Sequence, residues 1–264
     1  MTQDAGLIVE QRGHVLLLTL NRPDRLNALD RGLQEALERT FIAAGADPSV
    51  RVVVITGAGR AFCSGADVGR LEDGAKGSNN PADVHVPKFT MRQAKIYKPT
   101  ICAVNGVCAG AGLHFVADSD IVIASGAASF VDTHVNVGQV TALEPIGLMQ
   151  KMPLSAVLRM VILGNAERLS AEQALAAQMI SEVVAPEALL TRAFELAEIA
   201  ASVSPASVQR SLKAIWEALD LPLDQAYANG FDILIRHRSH PDALEGPKSF
   251  REKRDPNWND DPTL

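Results

Sequence analysis

Two short stretches of small residues are placed to bring backbone amide groups close to a ligand. The stretch 64–66 (Ser-Gly-Ala) follows the β-branched run 51–57, and the stretch 109–112 (Ala-Gly-Ala-Gly) follows the run 100–106. Small residues let a ligand approach the backbone, and the second stretch opens a helical pattern whose first N–H groups lack intrahelical partners. Side by side, the two turns would form an oxyanion hole for a carbonyl that becomes an enolate or a tetrahedral oxyanion. Tight helix–sheet packing is the alternative reason for the same residues.

Two other groups of reactive side chains have plainer explanations. His237 and His240 lie three residues apart, which can place both imidazoles on one helix face, but no third or fourth metal ligand is evident. A solvated helix end is the favoured interpretation, and no metal site is predicted. Cys63 lies beside the first turn, yet the sequence offers no partner that would make it a thiolate. We therefore predict a small buried hydrophobe rather than a nucleophile.

The elements that must position the two turns follow an alternating pattern. The run from Arg31 to about Ala46 is amphipathic, and Asp30 is its candidate N-cap. Similar helical patterns separate four runs that predict strands, at 14–20, 51–57, 100–106 and 120–125. Such alternation predicts an α/β fold with a mainly parallel sheet and crossover helices.

The second half of the chain reads as helical. Ser170 and Gln173 fit a capping box that opens a helix. Further helical runs are predicted near 186–202, 205–219 and 222–238, followed by a tail that begins helical and ends at Pro256. Residues 72–86 are polar and patternless, which predicts a surface loop, with a lid over the site and plain flexibility both open.

Composition excludes several classes of partner. The chain has 264 residues, 47% of them hydrophobic, and a formal net charge of −6 without a Lys/Arg-rich run, so no nucleic-acid partner is expected. No window of about 18 apolar residues is present, and the N-terminus lacks the pattern of a signal peptide, so no membrane insertion is expected. Three cysteines make no disulfide framework, and a reduced, cytoplasmic protein is expected.

Four blocks of sequence together resemble the crotonase superfamily, whose best-known member is enoyl-CoA hydratase. They run in order over about residues 10–255 and are NRPDRLNALD (21–30), VVVITGAGRAFCSGADV (52–68), KPTICAVNGVCAGAG (98–112) and EGPKSFREKR (245–254). The resemblance implies a spiral of ββα units with a helical C-terminal trimerisation region, often assembled as a dimer of trimers. It implies an acyl-CoA thioester as substrate, with coenzyme A as part of that substrate and no separate cofactor.

The resemblance also assigns roles to individual positions. The backbone N–H groups of Ala66 and Ala111 match the oxyanion hole for the thioester carbonyl. Phe250 and Lys253 match C-terminal positions that reach the CoA of a neighbouring subunit. The adenine and pantetheine pocket is matched by Arg25, Leu26, Ser64, Asp67 and Val68. Residues 1–200 would form the acyl-CoA-binding core, and 201–264 the helical region for oligomerisation and CoA contact.

The sequence departs from the family where its hydratases carry two catalytic glutamates. Alignment through the motifs places His114 at the first of these positions and His134 at the second. Near neutral pH an imidazole is a competent base and an imidazolium a competent acid. The pair can therefore still move protons, and it favours negative charge on the substrate. The alternative is that both histidines only pack or hydrogen-bond in the pocket.

Two carboxylates lie close to these histidines in the sequence. Asp132 precedes His134 by two residues, so in an extended segment it can share a face with the imidazole and orient it, although a solvated turn is equally compatible. Glu144 can replace the missing base from a different direction, or it can cap a helix that starts at Pro145.

Three functions fit these features. The first is an acyl-CoA enzyme of enoyl-CoA hydratase or isomerase type that stabilises a thioester enolate. The second is hydrolysis of a carbon–carbon bond in a β-diketone or cyclic β-keto acyl-CoA, with a histidine activating water. The third is a non-catalytic acyl-CoA binding protein, which the missing glutamates favour and the two small-residue turns disfavour.

Overall fold

The computed structural model describes residues 1–67, 80 and 87–261, and they form two β-sheets surrounded by helices. The strands of these residues, numbered in chain order, are β1 (Thr2–Asp4), β2 (Leu7–Arg12), β3 (Val15–Leu20), β4 (Val52–Gly57), β5 (Ala61–Cys63), β6 (Thr100–Val104), β7 (Val107–Ala109), β8 (Ile121–Ser125), β9 (Ser129–Val131), β10 (Leu169–Ser170) and β11 (Glu182–Val184). The α-helices are α1 (Arg31–Ala46), α2 (Leu113–Asp118), α3 (Leu143–Leu148), α4 (Leu154–Leu163), α5 (Ala171–Ala176), α6 (Leu189–Ser202), α7 (Pro205–Ala218), α8 (Leu223–His237) and α9 (Asp242–Glu252).

The larger sheet has the strand order β1-β2-β3-β4-β6-β8-β11. Its pairs from β3 to β11 are parallel, and β1 and β2 add an antiparallel edge. The four predicted strands are confirmed as β3, β4, β6 and β8, and the mainly parallel sheet is confirmed with them. The smaller sheet, with the order β10-β9-β7-β5, was not predicted, because its strands are only two or three residues long.

A repeated connection sets the position of the two small-residue turns. Each of β4, β6 and β8 is followed by a short strand of the smaller sheet, and this ββ(α) arrangement is the one expected from the family resemblance. Strands β5 and β7 are parallel neighbours, with Cys63 opposite Cys108. The ends of parallel neighbours meet at one edge of a sheet. The turns that follow β5 and β7 therefore lie next to each other.

The larger sheet is buried on both faces. Val53 and Ile55 of β4 point into a core that includes Phe115 of α2, whereas Val52 and Val54 point to the opposite face. This alternation is the reason why the run reads as continuously hydrophobic. Burial of such side chains contributes about 1.5–3 kcal/mol each relative to exposure.

Most of the predicted helices begin and end within a few residues of the observed ones. The Asp30 carboxylate accepts a hydrogen bond from the Leu33 N–H at 2.9 Å, and the helix spans Arg31–Ala46 as predicted. The capping box at Ser170 and Gln173 is confirmed. Helices α6, α7 and α8 match the three predicted C-terminal runs to within a few residues.

The tail begins helical as predicted, but its helix ends before Pro256. Helix α9 begins at Asp242 and ends at Glu252, before Pro256, because Lys253 adopts a left-handed conformation with φ 50°. The predicted loop at 72–86 lies outside the described residues apart from residue 80. In the part of the chain that the structure describes, no helix has the length and apolar character of a membrane span.

Candidate active site

The two small-residue turns are in direct contact. A Cβ atom built on Gly65 would lie 2.9 Å from the Ala109 carbonyl oxygen and 3.3 Å from the Ala111 amide nitrogen. Gly65 has φ 96° and Gly110 has φ 50°, a region that L side chains rarely adopt. Glycine at both positions thus permits the backbone conformation, and at Gly65 it also permits the close approach.

The hydrogen bonds around Ala66 determine the direction of its peptide groups. The Leu29 N–H donates to the Gly65 carbonyl at 2.8 Å, and the Asp67 N–H donates to the Leu29 carbonyl at 3.1 Å. In a parallel bridge of this kind the middle residue directs its own N–H away from the partner strand. Ala66 therefore turns its amide away from Leu29.

Ala111 belongs to a single 3₁₀ turn, Gly110–Gly112, that leads into α2. The first N–H groups of a helix lack intrahelical acceptors. The amide of Ala111 thus lies in a segment of orphan donors that touches Gly65. This is the geometry that the sequence predicted for the two turns, although the convergence of the two donors on one oxygen stays a prediction.

His114 lies on α2, immediately after this turn, and its side chain is 9% exposed. Its Nε2 atom lies 3.3 Å from Oε1 of Glu144, and its Nδ1 atom lies 3.3 Å from Nε2 of Gln93. The imidazole and the Phe89 ring form a T-shaped pair, with centroids 5.3 Å apart. The imidazole is therefore fixed between polar partners at both nitrogens.

His134 is oriented by the buried carboxylate of Asp132. Its Nδ1–H donates to Oδ1 of Asp132 at 2.9 Å, and its backbone N–H donates to the same oxygen at 2.9 Å. The Thr141 hydroxyl donates to Oδ2 of Asp132 at 2.6 Å. A Cβ atom on Gly110 would lie 3.5 Å from Cε1 of His134, so the imidazole borders the second turn.

The electrostatics of this pair follow from its hydrogen bonds. Burial alone would raise the pKa of Asp132, but the bonds from His134 and Thr141 outweigh it and hold that pKa below its usual range. The bond to Asp132 raises the pKa of His134 against the opposing effect of burial, and the negative charge of Glu144 adds to the rise. The pair therefore favours an imidazolium beside a carboxylate.

The Glu144 carboxylate lies close to the imidazoles of both His114 and His134. Its Oε1 atom lies 3.3 Å from Nε2 of His114 and 3.8 Å from Nε2 of His134, and its side chain is 8% exposed. Helix α3 starts at Leu143 rather than at Pro145, and no side chain caps its N-terminus. Glu144 therefore makes no capping hydrogen bond to α3, and its role as a replacement base stays a prediction.

A cavity of about 390 Å³ opens beside His114. Its lining includes Phe89, Arg92, Gln93, Leu143 and Ile146. The mixture of apolar side chains with a few polar groups suits an organic acyl group.

Three residues predicted to line the adenine and pantetheine pocket lie together. The Ser64 N–H donates to the Leu26 carbonyl at 3.0 Å, and the Ser64 hydroxyl lies 3.5 Å from the Arg25 carbonyl. Asp67 follows on the same segment, 3.9 Å from the guanidinium of Arg22. Val68 lies outside the described residues.

Phe250 and Lys253 lie at the C-terminal end of α9. Phe250 is 86% exposed, and Lys253 is also exposed. Helix α9 is anchored elsewhere, through the carboxylate of Asp242, which accepts from the Ser204 hydroxyl at 2.5 Å. Their contact with the CoA of a neighbouring subunit stays a prediction.

The prediction of a solvated helix end was wrong for His240, whose side chain is buried, whereas Cys63 is buried as predicted. The two imidazoles stack with centroids 5.6 Å apart, and His237 bonds to Ser207 and Arg210 rather than facing a vacant ligand position. Among the described residues, no group of three or more ligating side chains could hold a metal ion. Burial raises the pKa of Cys63 to about 12, so its thiol stays protonated.

Two residues of the site were not predicted from the sequence: Gln93, which contacts His114, and Thr141, which donates to Asp132. Gln93 lies in a segment without periodicity, so nothing marks it before folding. Thr141 lies nine residues after Asp132, and only the fold brings them together. The spacing between His114 and Asp118, four residues on one helix face, was a readable signal for their 3.9 Å contact.

The chain is similar to known proteins in both sequence and fold. Residues 10–261 match the family model described as enoyl-CoA hydratase/isomerase. The chain is 34% identical over 256 residues to the (E)-benzylidenesuccinyl-CoA hydratase of Thauera aromatica, covering 94% of this chain and 96% of that protein. It is 33% identical over 262 residues to the carnitinyl-CoA dehydratase of Proteus mirabilis, covering 96% and 98%. A crystal structure of an enoyl-CoA hydratase/isomerase from Mycobacterium paratuberculosis superposes with a TM-score of 0.88 at 39% identity, covering 97% of this chain and 98% of that one.

Proposed function

The chain belongs to the enoyl-CoA hydratase/isomerase family and is an acyl-CoA-transforming enzyme of the hydratase type, and on this premise we propose that Glu144 and His134 are its acid–base pair. The reaction is the addition of water across the Cα=Cβ bond of a 2-enoyl-CoA thioester, or its reverse. The observation that carries the proposal is the position of Glu144 Oε1 between the two imidazoles, at 3.3 Å and 3.8 Å.

The amides of Ala66 and Ala111 hold the thioester carbonyl oxygen. Their donation polarises the conjugated double bond and stabilises the enolate that forms when a nucleophile adds to Cβ. One such donor is worth about 3 kcal/mol of barrier, a factor of about 10² in rate. The contact between the two turns and the outward direction of the Ala66 amide support this role.

Glu144 acts as the general base. Its carboxylate takes a proton from water while the water oxygen bonds to Cβ, and the electrons of the double bond move to the thioester oxygen. His134 then acts as the general acid, and its imidazolium gives a proton to Cα as the carbonyl re-forms. The raised pKa of His134, caused by Asp132 and Glu144, keeps that proton available near neutral pH.

The cycle closes by proton return. After one turnover Glu144 carries the proton taken from water, and His134 has lost one. Oε1 and Nε2 lie 3.8 Å apart, so one bridging water is needed to carry the proton back and restore the starting state. Dehydration of a 3-hydroxyacyl-CoA uses the same steps in reverse.

Exposed apolar residues support self-association, as a trimer or a dimer of trimers. Leu158 and Ile162 on α4 and Tyr227 and Phe231 on α8 are each between 47% and 71% exposed. Residues four apart share a helix face, so each pair forms part of an apolar stripe. Sedimentation of the full chain tests this: a species of three or six copies is expected, and a monomer would contradict it.

One experiment tests the proposed reaction. The purified chain is incubated with 2-enoyl-CoA thioesters, including a short straight-chain thioester and (E)-benzylidenesuccinyl-CoA, and loss of the conjugated absorbance is followed with product mass. Addition of one water molecule is expected for at least one thioester. Binding of every thioester without turnover would contradict an enzyme and favour an acyl-CoA binding protein.

The Asp132–His134 pair also favours a second candidate. An imidazole whose Nδ1–H is held by a buried carboxylate can activate water through Nε2. Attack of that water on the keto carbon of a cyclic β-keto acyl-CoA would break the carbon–carbon bond and leave the thioester enolate in the oxyanion hole. A ring-opened acid from such thioesters, without hydration of enoyl thioesters, would replace the first proposal by this one.

A further inference from the structure

Gln93 contacts His114 on the side that faces away from Glu144. The Phe89 backbone N–H donates to Oε1 of Gln93 at 3.1 Å. A backbone N–H can only donate, so the atom that faces it must be the oxygen of the amide. The nitrogen Nε2 of Gln93 is therefore the atom that lies 3.3 Å from Nδ1 of His114.

This contact decides which nitrogen of His114 carries the proton. The amide nitrogen of Gln93 has two donors and no acceptor, so Nδ1 of His114 must accept. In a neutral imidazole the proton then lies on Nε2. That nitrogen is the one that lies 3.3 Å from Oε1 of Glu144.

The other groups that face His114 do not offer Nδ1 a better partner. Oδ2 of Asp118 lies 3.9 Å away, beyond hydrogen-bond distance, and it already accepts from the Thr90 hydroxyl at 2.8 Å. Oδ1 of Asp118 faces the guanidinium of Arg92 at 3.8 Å. The Phe89 ring covers the imidazole without a polar atom.

In their neutral forms, the two imidazoles near Glu144 therefore differ in their tautomers. His134 donates through Nδ1 to Asp132, which leaves Nε2 to exchange a proton with the site. We propose that Gln93 holds His114 in the opposite tautomer, with Nε2–H directed at Glu144, so that His114 fixes the carboxylate and does not compete for its proton. Gln93 is thus a positioning residue, and this inference rests on the proposed role of Glu144 as the base.

The direct test is the protonation pattern of His114. Wild-type chain labelled with ¹⁵N-histidine is examined by long-range ¹H–¹⁵N NMR, with His114 assigned through the His114→Asn variant. A pyridine-type Nδ1 and a pyrrole-type Nε2 are expected. A pyrrole-type Nδ1 on neutral His114 would overturn the inference.

Gln93→Glu makes the test sharper. A carboxylate at this position can accept from the Phe89 N–H but cannot donate, so Nδ1 of His114 should become protonated and change to the pyrrole type. Gln150→Glu is the matched control, because Gln150 lines the same cavity without bonding to His114. It should leave Nδ1 unprotonated. An unchanged Nδ1 in Gln93→Glu, or the same change in both variants, would contradict the role of Gln93.

Kinetics separate this inference from the proposed function. In Gln93→Leu, which has neither donor nor acceptor, we expect kcat for hydration to fall by about tenfold with little change in KM. If the wild type hydrates no enoyl-CoA, the proposed function fails while the NMR result still decides the tautomer. A wild-type kcat in Gln93→Leu, with circular dichroism showing a folded protein, would remove the positioning role.

Discussion

Glu144 reaches His114 from a different helix, with its Oε1 3.3 Å from the imidazole Nε2. The family resemblance predicts a catalytic glutamate of the hydratases at the position that His114 occupies. A carboxylate is present beside this imidazole, but it comes from another helix. Since Glu144 also lies 3.8 Å from His134, a single acid serves two imidazoles.

Glu144→Gln should remove the base and leave the pocket shape unchanged. We expect kcat for hydration to fall by about 10²–10⁴, the usual contribution of a general base, with KM close to the wild-type value. Steady-state kinetics measure both constants. Glu198→Gln, an exposed change on α6, is the control and should match the wild type. Full activity in Glu144→Gln would exclude Glu144 as the base.

Asp132→Asn should shift the pH profile of kcat. Asp132 raises the pKa of His134, and loss of its charge should lower that pKa. If His134 is the acid, activity falls as pH rises through its pKa, so the alkaline limb should move to lower pH in the variant. A pH series from about 5 to 10 checks this. An unmoved alkaline limb would show that His134 is not the titrating acid.

The sequence predicted the strands and turns around this site better than the cluster of His114, His134 and Glu144. The runs that became β3, β4, β6 and β8 were readable because burial on both faces demands continuous hydrophobic residues. The two turns could be predicted because glycine and alanine allow a ligand or another segment to approach the backbone closely. Asp30 was readable as an N-cap because the interaction is local.

The cluster of the two histidines and Glu144 depends on distances between separate elements, which no local sequence pattern encodes. His114, His134 and Glu144 come from separate elements, and only the packing of α2 against α3 decides that one carboxylate reaches both imidazoles. The family resemblance identified the two histidines but left Glu144 with two interpretations. Gln93 carried no signal, because its contact with His114 joins an irregular segment to a helix.

His134→Ala should cost stability in a pH-dependent way. The lowered pKa of Asp132 stabilises the fold above its ordinary value of 3.8, and this contribution is lost as pH falls through the folded pKa. The raised pKa of His134 stabilises the fold below its ordinary value of 6.5, and this contribution is lost as pH rises through the folded pKa. The Asp132–His134 pair therefore contributes most to the free energy of unfolding between pH 3.8 and pH 6.5.

Urea unfolding at fixed protein concentration measures this window. The difference in free energy of unfolding between wild type and His134→Ala should be larger at about pH 5 than at about pH 9. His14→Ala is the control, since His14 contacts a backbone carbonyl at 3.0 Å rather than a carboxylate. A difference that stays constant with pH would show that the charge of the Asp132–His134 pair does not stabilise the fold.

Gly65→Ala should damage the oxyanion hole. The new methyl group would lie 2.9 Å from the Ala109 carbonyl oxygen, a backbone atom that cannot move aside cheaply, and φ 96° is unfavourable for alanine. The two turns should separate, and loss of one donor predicts a fall in kcat of about 10²–10³. Gly13→Ala is the matched control, because Gly13 also has a positive φ, at 58°, but a methyl group there meets nothing within 4 Å. Gly13→Ala has the backbone strain without the steric clash. Both variants should therefore lose stability, but only Gly65→Ala should lose turnover. Equal activity in the two variants would mean that the contact between the turns does not support catalysis.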